Sequence, residues 1–83
     1  MPKKPDLPPL NLMNETIGQR IAKIRKEKGM TQQGLAQKIG IKRYLVANYE
    51  QGRTKIYGEM LIHLALALDC TVDDLVGFKE KQE

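Results

Sequence analysis

The sequence predicts an all-α fold, a compact bundle of five helices. Apolar residues recur at helical spacing from Ile17 onwards, and no segment sustains the alternation of a half-buried strand. Glycines and capping residues divide the periodic stretches into short pieces. With 83 residues the chain is long enough for one domain and too short for two. A chain of this size buries only about 60 % of its unfolded surface, so association with a second copy would add stability.

The elements follow in order. All four prolines (Pro2, Pro5, Pro8, Pro9) fall at the start beside Lys3 and Lys4, which predicts a flexible, extended arm over residues 1–13. Helical periodicity starts with Asn14 as the expected N-cap; Ile17, Ile21 and Ile24 form one apolar stripe, and Gly29 ends the helix. Thr31 caps a second helix whose buried stripe is Leu35, Ala36 and Ile39, and Gly40 stops it after two turns. A third helix runs over about residues 42–51 and ends at Gly52. After a loop over residues 53–57, a fourth helix over about 58–68 carries Leu61, Leu64, Ala65 and Leu68 at helical spacing. Thr71 with Asp74 three residues on resembles a capping box, opening a short fifth helix over 72–76. The folded domain is expected over residues 14–78, with a frayed tail over 79–83.

The net charge of +4 is unevenly placed. Residues 15–55 carry ten basic side chains against three acids, a net +7, whereas residues 56–83 carry two against six, a net −4. A basic block joined to an acidic one fits a protein with one face towards a polyanion, and it also fits ordinary solvated helix surface. The single cysteine, Cys70, excludes an intramolecular disulfide and, with one histidine (His63) in the chain, reads as a small packing residue. No apolar run approaches the ~20 residues of a membrane span, and no secretory leader pattern follows the N-terminal lysines, so a soluble cytoplasmic protein is expected. There is no phosphate-cradling glycine loop, no metal-ligand cluster and no acid–base pair of catalytic type, so the sequence predicts no enzyme, cofactor, metal or small-molecule effector.

The second and third helices, joined by a tight turn at Gly40, have the plan of a helix-turn-helix over about residues 32–51. That geometry calls for a small residue where the helices approach, here Ala36, and a turn residue that tolerates positive φ, here Gly40. Leu35, Ile39, Ile41, Val46 and Tyr49 are placed to pin both helices to the rest of the domain.

Three stretches carry a resemblance to a known family: residues 24–32 (Ile-Arg-Lys-Glu-Lys-Gly-Met-Thr-Gln), 35–41 (Leu-Ala-Gln-Lys-Ile-Gly-Ile) and 49–53 (Tyr-Glu-Gln-Gly-Arg). Together with Leu64, Ala65, Ala67, Leu68 and the run Val72-Asp73-Asp74-Leu75, they resemble the Cro/phage-repressor (XRE-like) helix-turn-helix family, with its lambda-repressor-like fold. The resemblance implies sequence-specific binding of double-stranded DNA by a transcriptional regulator, a repressor or autoregulator, with the third helix in the major groove. By position it assigns base reading to Lys42, Arg43, Tyr44 and Asn48. Arg43 suits a bidentate contact to guanine and Asn48 one to adenine; Lys42 and Tyr44 stay open between base and backbone. It implies phosphate contacts from Gln32, assisted by Gln33, and from Arg53, Thr54 and Lys55, and an internal ion pair between Arg25 and Glu50. Leu45 stands at a usually polar place in the third helix and can face a thymine methyl or the scaffold. Gly34 replaces a polar helix former, Leu66 stands where the fourth helix is usually exposed and charged, and Asp69 replaces a glycine.

One recognition helix reads few base pairs, so a symmetric homodimer on a palindromic operator is expected. Leu66, Leu75, Val76 and Phe78 are the candidates for its apolar contact, although Leu75 and Phe78 can equally close the core. A different function class, an antitoxin-like protein-interaction module that also binds DNA, is compatible with the Pro-rich arm and the lysine-containing tail.

Overall fold

The computed structural model describes residues 10–76, which form five helices: α1 (Leu10–Glu27), α2 (Gln32–Ile39), α3 (Arg43–Glu50), α4 (Gly58–Leu68) and α5 (Val72–Val76). No strand occurs among the described residues. Residues 1–9 of the arm expected over 1–13, the tail over 79–83 and Phe78 lie outside them.

One boundary differs from expectation. α1 begins at Leu10, directly after Pro9, so Asn14 lies inside the helix and does not cap it, and the arm cannot extend to residue 13. Between Pro9 and Asn14 the chain contains no helix breaker, and an asparagine inside a helix looks locally the same as one that opens it.

The other ends are set by local chemistry. Thr31, extended at φ −84°, ψ 164°, accepts a hydrogen bond from the Gly34 backbone N–H (2.9 Å) and caps α2. Gly34 itself stands close over that cap, since a Cβ there would lie 3.2 Å from Thr31 Oγ1. α2 stops at Gly40, whose φ of 86° belongs to the left-handed region that most residues avoid; its N–H and that of Ile41 both donate to the Ala36 carbonyl (2.8 and 3.0 Å). α4 ends on Asp69, the one non-glycine at positive φ (54°) among the described residues. There the Cys70 N–H donates to Ala65 O (3.0 Å) and the Asp69 N–H to Leu66 O (3.2 Å), closing a Schellman-type turn. The capping box is reciprocal: the Thr71 N–H donates to Asp74 Oδ2 (3.1 Å), and the Asp74 N–H donates to Thr71 Oγ1 (3.0 Å).

Each helix sends side chains to one core. Ile21 of α1, Leu35 and Ala36 of α2, Val46 and Tyr49 of α3, Leu64, Ala65 and Leu68 of α4, and Leu75 of α5 are all buried. Ile17, Ile24, Ile39, Ile41 and Leu61 pack partly buried around them. Leu75 is fully enclosed, so it closes the core and is unavailable as a dimer contact. α5 packs against both α1 and α4, with Val72 partly buried against the same core.

α1 crosses α3 at Gly18, which the sequence analysis passed over. A Cβ there would overlap the backbone carbonyl of Tyr49 and stand 2.8 Å from that of Glu50. The absence of a side chain lets the two backbones touch, and this contact fixes how the third helix is held on the scaffold.

Candidate nucleic-acid interface

α2 and α3 pack closely, with Ala36 fully buried at the small-residue place and the Gly40 turn between them. On α3, Val46 and Tyr49 face inward, three residues apart. Leu45 is half-buried and packs against the core, in keeping with the scaffold reading. The opposite side of α3 is therefore left to solvent. Lys42, just ahead of α3, and Arg43 and Tyr44 in its first turn are exposed, with Tyr44 at 60 % exposure despite its large ring, and Asn48 is half-buried one turn after Tyr44. The N-terminus of α3 has Lys42 at the cap position and no side-chain cap, so its first backbone N–H groups receive no bond from that side chain.

Gln32 (half-buried) and Gln33 (exposed) open α2, and Arg53 and Lys55 (exposed) with Thr54 (half-buried) lie in the loop after α3. Of these residues, Gln32 is hydrogen-bonded to Arg43, and the Arg53 backbone N–H donates to the Asn48 carbonyl (2.9 Å).

Arg25 and Glu50 form a nearly buried ion pair. Arg25 Nε donates to Glu50 Oε2 (2.6 Å) and Nη2 donates to Oε1 (3.1 Å), with side-chain exposures of 10 % and 7 %. Arg25 Nη1 also donates to the Met30 carbonyl (2.8 Å). The pair ties α1 to the end of α3. It also places a cation beside a carboxylate at the helix C-terminus, where the helix dipole disfavours negative charge.

The pair does not stand alone. Gln32 Nε2 donates to Glu50 Oε1 (2.9 Å), and Arg43 Nη1 donates to Gln32 Oε1 (3.2 Å). Arg43 and Glu50 are seven residues apart, about two helical turns, so both project from the same side of α3 towards Gln32. A continuous run therefore leads from Arg25 through Glu50 and Gln32 to Arg43, and its last two links escaped sequence reasoning because they join positions distant along the chain.

The basic block divides in the fold. Lys28 Nζ donates to the Asp69 carbonyl (3.1 Å) and Lys38 Nζ to that of Ala67 (3.3 Å), so two lysines cap the C-terminal carbonyls of α4. An open cleft of about 330 Å³ sets Arg20, Lys23 and Lys28 against Glu27, Asp69 and Asp74. Asp69 and Asp74 of the acidic half thus line the same cleft as Arg20, Lys23 and Lys28 of the basic segment. Cys70 lines the same cleft, half-buried; burial, then the Asp74 carboxylate, pushes its thiol above the ordinary value, which disfavours the reactive thiolate.

On α4, Leu66 is 73 % exposed and Ile62, one turn earlier, 53 %. Ile62 was not among the expected surface residues, and its i, i+4 relation to Leu66 is the signal that could have found it. Val76 is half-buried. Among the described residues no helix is long and apolar enough to cross a membrane, and no group of His, Cys, Asp and Glu is arranged to hold a metal ion.

Two short helices, a glycine turn and an exposed polar face on the second helix define a helix-turn-helix domain. The helix-turn-helix family HTH_3 matches residues 21–75, and the chain belongs to that family as a DNA-binding regulator of transcription. The fold is similar to that of the restriction-modification controller protein C.AhdI from Aeromonas hydrophila, with a TM-score of 0.71 and 33 % identity over 74 % of this chain and 92 % of that one. It is also similar to the clp gene regulator ClgR from C. glutamicum (TM-score 0.77, 27 % identity, 84 % and 90 % of the two chains). A third likeness is to the hypothetical transcription factor NHTF from Neisseria (TM-score 0.75, 25 % identity, 88 % and 84 %). Among curated proteins none matches this sequence.

Proposed function

We infer that this protein acts as a repressor or autoregulator in the cytoplasm, binding a palindromic operator as a homodimer with α3 in the major groove. The observation that carries this reading is the exposure of Lys42, Arg43 and Tyr44 at the N-terminal end of α3, with Asn48 half-buried one turn further on. Arg43 presents a planar donor fork suited to guanine O6 and N7, and Asn48 an amide suited to adenine N6 and N7. Lys42 and Tyr44 complete the groove contact. Gln33, Arg53, Thr54 and Lys55 flank it and meet phosphates, which set register without reading sequence. Gln32 lies at the same border, with its amide turned inward to Glu50 and Arg43.

A second copy is brought in by the exposed Leu66 and Ile62 of α4, with Val76 at the margin. Two recognition helices related by a two-fold axis would read half-sites about 34 Å apart, one turn of the duplex. Selection of bound sequences from a random duplex library tests the reading. The expected result is an inverted repeat with half-sites one turn apart; enrichment of no common sequence contradicts base-specific recognition.

A further inference from the structure

The cleft between α1 and the α4–α5 turn is lined by none of the residues assigned to DNA. We propose that it is a binding site for a small zwitterion, a free α-amino acid with an apolar side chain. Arg20 and Lys23 hold its carboxylate, and Glu27 and Asp69 hold its ammonium group.

Three parts of the chain meet there. Arg20, Lys23, Ile24 and Glu27 stand at i, i+3, i+4 and i+7 along one side of α1. Asp69 and Cys70 come from the turn after α4, and Asp74 from α5. Positions far apart in sequence are thereby brought to one cavity, which is why the sequence alone shows no such site.

Size selects the class of ligand. About 330 Å³ lies at the lower end of the ~300–1,000 Å³ of small-molecule sites, which suits a molecule of amino-acid size and is small for a nucleotide. Charge selects further. Three cations share the lining with three carboxylates, so a simple anion would meet Glu27, Asp69 and Asp74 as well. Among the described residues no group of acids is arranged to hold a metal ion. A ligand that carries both charges is attracted at both ends. Partly buried Ile24 and half-buried Cys70 supply the uncharged lining for its side chain.

One donor of the lining already lacks a partner. Arg20 Nε is enclosed and makes no hydrogen bond, and a buried N–H without an acceptor is unfavourable. A carboxylate bound at this guanidinium supplies the acceptor as the half-buried side chain turns towards it. Lys28 is committed otherwise: its Nζ donates to the Asp69 carbonyl (3.1 Å) and ties the end of α1 to the turn after α4.

The test is an NMR titration of the ¹⁵N-labelled full chain at about 0.15 M salt, where unspecific surface attraction is screened. The probes are L-leucine, N-acetyl-L-leucine, which keeps only the carboxylate charge, and L-leucinamide, which keeps only the ammonium charge. L-Leucine is expected to give saturating shifts at the amides of residues 20–28 and 69–74. Each singly charged probe should bind about tenfold more weakly, the scale of one charge-assisted hydrogen bond. Arg20→Met should weaken L-leucine by a similar factor, as should Asp69→Asn, whose amide side chain tolerates the left-handed backbone there. Lys26→Met removes the same charge from an exposed residue of α1 outside the cleft and should leave L-leucine binding unchanged.

Shifts that do not saturate, or that are equal for all three probes, overturn the proposal. An equal loss in Lys26→Met and Arg20→Met overturns it as well. The comparison of probes needs only the parent chain, so it decides the matter even if a variant fails to fold.

Discussion

Gly18 of α1 and Tyr49 of α3 meet backbone to backbone, with no room for a methyl group between the helix and the Tyr49 carbonyl oxygen. An alanine at Gly18 should favour α1 by about 1 kcal/mol on intrinsic propensity alone. The overlap with a backbone that cannot swing aside acts the other way, at about 1–3 kcal/mol for overpacking. Gly18→Ala should therefore lower the melting temperature, measured by circular dichroism, despite the better helix former. A rise would mean that α1 and α3 do not cross so closely.

Breaking the ion pair by Glu50→Ala leaves the Arg25 guanidinium almost enclosed and without its carboxylate. A loss on the order of 3 kcal/mol is expected in urea unfolding, largely from the unpaired charge. Replacing both partners, Arg25→Met with Glu50→Leu, should recover most of that loss. Equal instability of the single and the double variant would show that the charge is not the cause.

Alkaline titration gives a further check. Burial raises the Tyr49 phenol above its ordinary value of 10.0, and burial followed by the Asp74 charge raises the Cys70 thiol above 9.0. In the unfolded chain both groups lose their protons first, so the folded state binds more protons in that range and stability falls as pH rises. The fall should begin near pH 9 and steepen above 10. Tyr49→Phe and Cys70→Ala should each flatten the pH dependence of the unfolding free energy, relative to their own values at pH 7. Unaltered slopes in both would place the two groups in contact with water.

Association is expected to run through the exposed residues of α4 and not through the enclosed Leu75. Leu66→Glu should shift sedimentation towards monomer and weaken operator binding while the melting temperature changes little. Leu75→Ala should instead lower stability by about 2–5 kcal/mol, the range for emptying a core site. A dimer that persists in Leu66→Glu and Ile62→Glu together would place the interface elsewhere.

Most of the fold was legible because its signals are local. Gly40 ends α2 and opens the turn, Thr31 caps the helix after Gly29, and Thr71 with Asp74 opens α5, each within a few residues of sequence. The core was legible from spacing, as in Ile21, Leu35 and Leu64. What escaped depends on partners far along the chain. Gly18 has a purpose only once α3 crosses it, and Lys28 and Lys38 look like solvated lysines until the end of α4 is placed beside them. Asn14 falls within α1, and residue type alone cannot distinguish an asparagine that opens a helix from one inside it. Of the candidate interface, the base-reading positions came from the family resemblance; Lys42, Arg43 and Tyr44 are exposed and Asn48 is half-buried. The inward-turned amide of Gln32 was not legible, because its partners lie in another helix.

The central claim is that the exposed side of α3 reads bases while the neighbouring loop holds phosphates. Equilibrium binding of the parent chain, Arg43→Ala and Lys55→Ala to operator and to random duplex, across a salt series, tests it most directly. Arg43→Ala should lose about 1–3 kcal/mol on the operator and little on random DNA. Lys55→Ala should weaken both alike and reduce the salt slope by about one unit. Identical behaviour of the two variants on both duplexes would contradict the account.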